Sequence, residues 1–517
     1  MPDLHETPVD LLVIGGGVNG CGIARDAAGR GLSVTLCEMS DLASATSSAS
    51  TKLIHGGLRY LEHYEFRLVR ESLTERKVLL AAAPHIIRPL RFVLPHHSGL
   101  RPAWVLRLGL FLYDHIGGRR TLPPTRVLDL RRGAEGAPLK AAYRRGFAYS
   151  DAWTDDARMV VLAALDAAER GARILTRTRL VSARREGAVW RATLEHADGG
   201  QETVTARAIV NAAGPWVEQV ARLLGVNKPA RSVKLVKGSH IVLPRLYEGE
   251  HAYTLQGGDG RVVFTIPYEG RYTLVGTTDV PVEGEPGPVE ATGEEIAYLC
   301  RTLGDYFTRE VTPDQVAWSY AGLRPLHEDG HENASAVTRD YVLDLDAPQG
   351  SGPALSVYGG KITTFRRLAE HAMELLKPPL GFLPGPWTRI APLPGGDLSA
   401  GFAAFRDRMA AHYSWLAEPT LTRMCRAYGS RLDRVLGEAA GWADMGEDFG
   451  AGLTAREVAY LKRVEWARTP EDVLWRRTKL GLHMTPNQRS AFTSAFASIG
   501  EDGRTGRRMA GRDGLEA

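Results

Sequence analysis

Cysteine is scarce in this chain, and its four copies are widely separated. Cys21, Cys37, Cys300 and Cys425 form no Cys-x-x-Cys pair and have no spacing typical of metal ligands. Cys21 and Cys37 lie in apolar runs, so we expect them to be packed thiols. This usage favours a reduced, cytosolic setting and gives no support for a bound metal.

Long apolar runs are also absent. No stretch of eighteen apolar residues occurs, so the sequence predicts no segment that spans a bilayer. The first residues, MPDLHETPVDLLVIGGG, lack the basic region and the cleavage site of a signal peptide. Residues 101–120 combine Trp104, Leu108, Phe111 and Leu112 with flanking arginines. They are interpreted either as an interfacial helix that meets anionic lipid or as a buried helix with a solvated basic end.

Charge of one sign is not in excess. The net charge of +4 over 517 residues is too small to indicate nucleic acid as a partner. A chain that is 44% hydrophobic and 24% charged is ordinary for a soluble globular protein. Its length predicts two or three domains. Glycine, with 56 copies, is above its usual share, which predicts many tight turns.

The N-terminal residues contain a clear supersecondary pattern. An apolar run at 9–14 is followed by GGGVNG, a helix-like segment and a second apolar run at 32–38. This order of strand, turn, helix and strand is the unit of a parallel sheet. In G-x-G-x-x-G the first glycine permits the tight turn, the second lets the backbone approach a pyrophosphate, and the third lets helix and strand pack closely. Glu38 ends the second strand, at the position where a carboxylate accepts hydrogen bonds from the ribose diol of a bound dinucleotide. The pattern therefore predicts a dinucleotide-binding site.

The rest of the chain divides by its periodicity. Residues 155–172 predict a helix capped by aspartates, followed by a strand at 173–186 and a hairpin that turns at Asp-Gly-Gly. Alternating segments from about 230 to 345 predict an antiparallel sheet. The chain after Pro392 predicts helices, and its capping-box pairs are Thr454 with Glu457 and Thr485 with Gln488.

The dinucleotide could be NAD or FAD, and two later segments favour FAD. One is AIVNAAGPW at 208–216, an apolar strand that runs into Ala-Ala-Gly. The other is LSVYGGKITTFRRLAEHA at 355–372, which predicts a strand, a Gly-Gly turn and a helix. A helix that starts there can direct the positive end of its dipole at the flavin pyrimidine ring.

These motifs resemble the FAD-dependent (aerobic, quinone-linked) glycerol-3-phosphate dehydrogenases, within the wider D-amino-acid-oxidase-like group of flavoproteins. The resemblance covers about residues 10 to 375 and is carried by VIGGGVNGCGIARDAAGRGLSV, TSSASTKLIHGGLRYLEHYEFRLV, VKGSHIV, GTTDV, GLRPL, TRDY and YGGKITTFRRLAEHA. The C-terminal region resembles the cap domain of that family with less specific motifs.

An α/β fold with three domains is the expectation that follows. The first is a discontinuous Rossmann-like FAD-binding domain built from 1–95, 150–228 and 350–385. The second is an antiparallel-sheet substrate domain built from 96–149 and 229–349. The third is an all-helical C-terminal cap domain at 390–517.

The predicted cofactor residues are small or cationic. Small hydroxyl groups can donate hydrogen bonds without crowding a flat ligand, glycines let the backbone approach it, and lysine and histidine bring donors towards the ring. The residues predicted to hold FAD are Gly15, Gly17, Asn19, Gly20, Glu38, Thr46, Ser47, Ser48, Ser50, Lys52, Gly56, Gly57, Ala213, Gly214, Gly359, Gly360, Lys361 and Thr363.

The predicted substrate residues are mainly cationic, because phosphate prefers guanidinium partners. By resemblance, Arg324 and Arg339 hold the phosphate, and Arg59 and Tyr60 assist. His240 or Lys361 would contact the C2 oxygen. His55 is the first choice for the catalytic base, since its unperturbed pKa is near the operating pH, and Lys361 is the second.

The predicted reaction is oxidation of sn-glycerol 3-phosphate to dihydroxyacetone phosphate, with hydride transfer from C2 to flavin N5. By resemblance the electrons then pass to a membrane quinone, and the protein binds peripherally to the cytoplasmic face of the membrane. No metal and no nucleic acid is expected, and the oligomeric state is left open, with a homodimer among the allowed assemblies. Two alternatives remain at this point: an FAD-dependent amino-acid or sarcosine-type oxidase, and a non-catalytic flavin-binding protein with a structural or RNA-related role.

Overall fold

The computed structural model describes residues 7–118, 121–226, 232–327, 340–381 and 383–500. The chain divides into two compact units, Met1–Gly396 and Asp397–Ala517. The first unit contains the strands and α1–α7, whose bounds follow, and the second is helical. The predicted helical C-terminal region is therefore confirmed as part of the fold class. The predicted domain bounds remain a prediction.

The strands of the described residues follow one another in this order: β1 (Val9–Ile14), β2 (Val34–Glu38), β3 (Leu53–Ile54), β4 (Ile87–His96), β5 (Arg126–Asp129), β6 (Arg145–Thr154), β7 (Arg173–Thr176), β8 (Thr178–Glu186), β9 (Val189–His196), β10 (Gln201–Asn211), β11 (Val233–Pro244), β12 (Ala252–Gln256), β13 (Val262–Tyr268), β14 (Tyr272–Gly276), β15 (Val280–Val282), β16 (Trp318–His327), β17 (Tyr341–Asp346) and β18 (Ala354–Gly359).

The α-helices of the same residues are α1 (Val18–Gly29), α2 (Phe66–Ala82), α3 (Ala103–Ile116), α4 (Asp156–Glu169), α5 (Val217–Leu223), α6 (Gly293–Tyr306), α7 (Phe365–Leu380), α8 (Gly401–His412), α9 (Glu418–Tyr428), α10 (Leu432–Leu436), α11 (Ala455–Val464) and α12 (Pro486–Ala495). A π-helical turn covers Asp472–Arg477. No helix in the described ranges is both long and apolar enough to cross a membrane.

One sheet carries the predicted parallel unit. Its strand order is β17-β18-β10-β1-β2-β7, with the hairpin of β8 and β9 attached to β10. β1 pairs in parallel with both β2 and β10, and β10 pairs in parallel with β18. The residues of β1 that are buried from both faces, Leu11, Leu12 and Val13, are completely inaccessible to solvent, as expected for a central parallel strand. The predicted strand–turn–helix–strand unit is confirmed.

The second sheet has the order β15-β11-β14-β13-β12-β4-β6-β3, and β16 and β5 pair with β11 and β6. Its pairs are antiparallel except for that of β12 with β4. The predicted antiparallel sheet is therefore confirmed for β11 to β16, whereas β17, which also falls in the predicted range 230–345, belongs to the first sheet and pairs there with β18. The second sheet also contains β3, β4 and β6, which come from earlier parts of the chain.

Local signals in the sequence set several boundaries. The Asp155 side chain caps α4 by accepting from the Arg158 N–H, and Thr485 forms a capping box with Gln488 at the start of α12. The hairpin at Asp-Gly-Gly joins β9 to β10. The predicted single strand at 173–186 is wrong, because Arg177 adopts a left-handed conformation, φ 53°, and separates β7 from β8.

Burial also settles two interpretations from the sequence. The four cysteines are buried and form no disulfide, which confirms that Cys21 and Cys37 are packed thiols. Residues 101–120 contain α3, and Leu110 and Tyr113 are its buried residues. Trp104 is 71% exposed and Phe111 is 55% exposed. A fully buried helix at this position is therefore excluded, because α3 presents an exposed apolar face.

Candidate active site

The turn between β1 and α1 is built so closely that side chains do not fit. A Cβ on Gly15 would lie 2.5 Å from the Ala212 carbonyl oxygen, and one on Gly20 would lie 1.9 Å from that of Gly15. Gly17 precedes the first residue of α1 in an extended conformation. The N-terminal amides of α1 thus lie beside glycine backbone that carries no Cβ atoms. This is the geometry that binds a dinucleotide pyrophosphate.

Glu38 closes one side of this turn. Its Oε2 atom accepts from the Gly16 N–H at 2.7 Å, and Oε1 accepts from the Ser40 N–H at 2.8 Å. Burial raises the pKa of Glu38, although these two hydrogen bonds oppose the shift. Each carboxylate oxygen has a second lone pair, so the group fits the predicted role of accepting from a ribose diol.

The segment from Thr46 to Lys52 connects this turn with the rest of the site. Ser47 Oγ accepts from the Val18 N–H at 3.0 Å, at the first residue of α1. Thr46 Oγ1 donates to the Leu323 carbonyl at 2.5 Å, in β16 of the second sheet. Ser48 Oγ lies 3.4 Å from the Ala45 carbonyl oxygen. The hydroxyl-rich stretch thus contacts both the dinucleotide turn and the second sheet.

Ser50 and Lys52 both contact Asp156, the first residue of α4. Ser50 Oγ donates to Asp156 Oδ2 at 2.8 Å. Lys52 Nζ lies 2.8 and 2.9 Å from the two oxygens of the same carboxylate and 3.0 Å from the Ser48 carbonyl oxygen. Lys52 is 1% exposed. These contacts fix the segment against α4, and a direct contact of either residue with FAD stays a prediction.

The segments at 208–216 and 355–372, which favoured FAD, both lie against the glycine turn between β1 and α1. The Cα of Ala213 is 3.1 Å from the Cβ position of Gly15, and Gly214 is left-handed with φ 56°. Asn19 Nδ2 donates to the Gly359 carbonyl at 3.2 Å, and it is 2.9 Å from the Cβ position of Gly360. The structure therefore brings together three segments that the sequence places about 200 and 340 residues apart.

The two candidate bases lie on contacting segments. The His55 N–H donates to Thr363 Oγ1 at 3.3 Å. Lys361 Nζ lies 4.0 Å from the centroid of the Tyr60 ring, a cation–π contact. Gly57 is left-handed with φ 76°, and a Cβ there would be 2.0 Å from the same Tyr60 ring.

His240 lies in β11 and is 2% exposed. Its Nε2 atom is 3.0 Å from Thr51 Oγ1, and its ring stacks on Tyr320 with centroids 4.8 Å apart. Burial lowers the pKa of His240 well below its ordinary value, and the positive charges of Arg324 and Lys52 lower it further. The imidazole is therefore neutral at pH 7 and acts as a hydrogen-bonding group rather than as a cation.

Arg324 lies in β16, beside β11. Its Nη1 atom forms an ion pair with Asp279, and its Nη2 atom donates to Thr277 Oγ1 at 2.9 Å and to the Thr278 carbonyl at 3.0 Å. Its side chain is 22% exposed. Arg339 and the side chain of Arg59, the other predicted phosphate ligands, lie outside the described residues. The predicted clamp thus remains a prediction, with Asp279 as an acidic neighbour of its described member.

The sequence gives no signal for several residues that contact the site. It indicates Asp156 only as part of a helix cap, and it predicts no role for Thr51, Asp151 or Asp279. Each of these side chains reaches the site through a partner that is distant in the sequence, such as Lys52 for Asp156. Local periodicity contains no signal for such pairs. Tyr113 contacts Gly56, but its position in the apolar sequence of α3 likewise gives no signal for this contact.

Two family profiles cover most of the chain. Residues 10–366 match the family described as FAD dependent oxidoreductase, DAO. Residues 387–502 match the family described as C-terminal domain of alpha-glycerophosphate oxidase.

Individual relatives match over nearly their whole length. A glycerol-3-phosphate dehydrogenase of Pseudomonas aeruginosa is 54% identical over 93% of this chain and 93% of its own. A D-erythritol 1-phosphate dehydrogenase of Brucella abortus is 53% identical over 94% of this chain and 97% of its own. The X-ray structure of a glycerol-3-phosphate dehydrogenase from Bacillus halodurans, complexed with FAD, is 27% identical with a TM-score of 0.73, and the match covers 97% of this chain and 95% of that chain.

Proposed function

This chain belongs to the FAD dependent oxidoreductase family, and we propose that it oxidises sn-glycerol 3-phosphate to dihydroxyacetone phosphate. FAD is its cofactor. The proposal is supported by one network of contacts. This network joins the glycine turn, the segment from Thr46 to Tyr60 and the Gly359–Thr363 loop. The curated relatives named for glycerol 3-phosphate supply the substrate.

The residues of the first sheet fit FAD. The backbone at Gly15, Gly17 and Gly20 has no room for a Cβ or sits at the start of α1, so the pyrophosphate would lie on the helix amides. Glu38 would accept from the adenosine ribose. Ser47 and Gly360 are the described neighbours that would border the ligand between these points.

When bound, FAD supplies the acceptor for a hydride from C2, at its N5 atom. The protein must then remove the proton of the C2 hydroxyl, and His55 is our choice for that base, with Lys361 as its rival. Thr363 fixes the His55 backbone through a hydrogen bond. The left-handed Gly57 turns the chain directly after His55 and Gly56, and Tyr60 packs against it.

The substrate phosphate would be bound by Arg324, with Arg339, Arg59 and Tyr60. A guanidinium group can bind two phosphate oxygens at once. The Asp279 carboxylate holds Arg324 in place, and a phosphate would share or displace that partner. His240 would offer its Nδ1 atom to the substrate hydroxyl, because that atom makes no hydrogen bond within the described part of the chain. Since the imidazole is neutral, it would add no charge to the site.

Electron transfer to a membrane quinone would require contact with the bilayer, and α3 offers a surface for it. Trp104, Leu108, Phe111 and Leu112 are 71%, 52%, 55% and 39% exposed, and their spacing puts them on one face of the helix. Arg101 and Arg107 lie beside them in the sequence. Such a face suits the interfacial region of an anionic membrane, on its cytoplasmic side.

D-erythritol 1-phosphate is the second candidate substrate. It is favoured by the Brucella abortus relative, which is as similar as the one from Pseudomonas aeruginosa. Both substrates join a phosphate ester to a chain of hydroxyl groups, and they differ by one carbon and one hydroxyl. The same arginine-based clamp would therefore serve either, and the residues around the far end of the substrate would choose between them. The amino-acid or sarcosine-type oxidase and the non-catalytic flavin-binding protein have no comparable support.

An anaerobic titration tests the substrate assignment. Purified holoprotein would be titrated with glycerol 3-phosphate, D-erythritol 1-phosphate, glycerol, glycine and sarcosine while the flavin absorbance is recorded. We expect glycerol 3-phosphate to bleach the flavin at the lowest concentration and to yield dihydroxyacetone phosphate. Preferential bleaching by D-erythritol 1-phosphate would assign that compound as the substrate instead of glycerol 3-phosphate. Bleaching by glycine or sarcosine alone would refute the proposal.

A further inference from the structure

The backbone amide of Gly56, next to the candidate base His55, has two acceptors that come from other elements. Its N–H donates to the Tyr113 hydroxyl at 2.7 Å and lies 3.3 Å from Asp151 Oδ1. Gly56 is itself buried. A Cβ on it would lie 2.7 Å from the Tyr113 hydroxyl and 2.4 Å from Leu73. The His55–Gly57 backbone is therefore fixed on one side by a polar contact and by close packing.

The two acceptors belong to a buried charged network. The Tyr113 hydroxyl donates to the Asp151 carboxylate, at 2.9 and 2.8 Å from its two oxygens. Asp151 forms an ion pair with Arg76, which also donates to the Ser150 carbonyl at 2.8 Å. Tyr113, Asp151 and Arg76 are 2%, 3% and 8% exposed. Burying a carboxylate and a guanidinium is costly unless they are paired and hydrogen-bonded, and here both conditions are met.

The network connects three elements to the loop. Arg76 lies in α2, Tyr113 in α3 and Asp151 in β6. Burial and the neighbouring Asp151 charge raise the pKa of Tyr113 well above its ordinary value, so its hydroxyl stays neutral and can both accept from Gly56 and donate to Asp151. A well-packed buried network of this kind allows few alternative arrangements.

We propose that Tyr113 and Asp151, held by Arg76, are positioning residues that fix the His55–Gly56–Gly57 backbone for catalysis. The proposal rests on the proposed function, because it gives His55 its place beside the substrate. Reaction rates depend steeply on the placement of a catalytic group, and a displacement of about 1 Å can lower a rate by about 10²-fold. A shared hydroxyl bridge between Gly56 and Asp151 is a direct way to prevent that displacement.

The test compares two buried tyrosines that are neighbours. Tyr113→Phe removes the hydroxyl that Gly56 contacts and keeps the ring. Tyr149→Phe is the matched control, because Tyr149 is 3% exposed, its ring centroid is 6.2 Å from that of Tyr113, and its hydroxyl bonds to Thr254 Oγ1 at 2.8 Å, outside the loop. Both holoproteins would be examined for hydrogen exchange at the Gly56 amide, for FAD retention and for steady-state and anaerobic flavin reduction.

For Tyr113→Phe we expect faster exchange at Gly56, a fall in kcat of up to about 10²-fold, and an unchanged KM. FAD retention should match that of Tyr149→Phe, whose exchange at Gly56 and kcat should equal those of the wild type. Equal exchange and equal kcat in the two variants would overturn the proposal. A wild-type flavin that the polyol phosphates leave oxidised would instead refute the proposed function, while the exchange result would still report on the Gly56 contact.

Discussion

Oxidation at C2 needs one base, and the site offers two nitrogen groups on contacting segments, His55 and Lys361. His55→Gln keeps the size and hydrogen bonding of the side chain but removes its basicity. We expect it to lower the anaerobic flavin-reduction rate by about 10²–10⁴-fold, with FAD still bound. Stopped-flow absorbance measures this rate. Lys361→Met serves as the rival variant: a slow Lys361→Met enzyme beside a near wild-type His55→Gln enzyme would assign the base to the Gly-Gly-Lys loop.

Arg324 carries the prediction about phosphate. Arg324→Met should raise KM for glycerol 3-phosphate by an amount equivalent to about 2–5 kcal/mol, because a desolvated charge contact would be lost. Oxidation of bare glycerol should change much less. Arg185→Met is the matched control, since Arg185 is 23% exposed and paired with Asp346 at 2.6 Å in the first sheet. Steady-state kinetics measure the effect on both substrates. Equal effects on glycerol 3-phosphate and glycerol would mean that Arg324 does not bind the phosphate.

We expect His240 to make the stability of the fold depend on pH. Its pKa in the folded protein is well below the ordinary value because of burial, so below about pH 6.5 the unfolded chain binds a proton that the folded chain does not. Stability must then fall with falling pH, by at most about 1.4 kcal/mol per pH unit from this group. We expect His240→Gln to flatten the decline between pH 6.5 and 5, as measured by denaturant unfolding. An unchanged slope would mean that His240 is protonated in the folded state.

The sequence predicts those helices and strands whose boundaries are determined by local chemistry. The β1–α1–β2 unit follows from apolar runs and from glycines whose Cβ atoms would collide with the backbone. The capped starts of α4 and α12 follow from Asp155 and Thr485. The contacts that complete the site are of another kind. Thr46 and Leu323 are 277 positions apart, and Gly56 and Tyr113 are 57 apart, so only the packing of whole elements brings them together.

The surface of α3 carries a prediction about the membrane. Leu108→Glu with Phe111→Glu should weaken binding to vesicles of phosphatidylglycerol and phosphatidylethanolamine by more than about tenfold, because each apolar side chain contributes about 1.5–3 kcal/mol when it leaves water. Sedimentation with vesicles measures the binding. Val127→Glu is the control, since Val127 is 48% exposed in β5, outside α3. Equal binding of the α3 double variant and the Val127→Glu control would mean that α3 does not contact the membrane.

The two sheets of the first unit carry different groups of predicted site residues. The first sheet carries the glycine turns and Glu38, and the second sheet carries His240 and Arg324. The segment from Thr46 to Lys52 joins them, through Ser47 at the first helix and Thr46 at β16. The α/β class and the antiparallel sheet could be predicted from periodicity. The inclusion of β4 and β6 in the second sheet could not, because strand pairing is set by tertiary packing.

Isotopic labelling of the substrate tests whether this molecule oxidises a polyol phosphate at C2. Glycerol 3-phosphate labelled with deuterium at C2 would be mixed anaerobically with the holoprotein, and the rate of flavin reduction compared with those for unlabelled substrate and for substrate labelled at C1. If the molecule oxidises the substrate at C2, we expect slower reduction only for the C2 label, with one dihydroxyacetone phosphate formed for each flavin reduced. A slowing confined to the C1 label, or flavin reduction without dihydroxyacetone phosphate, would contradict it.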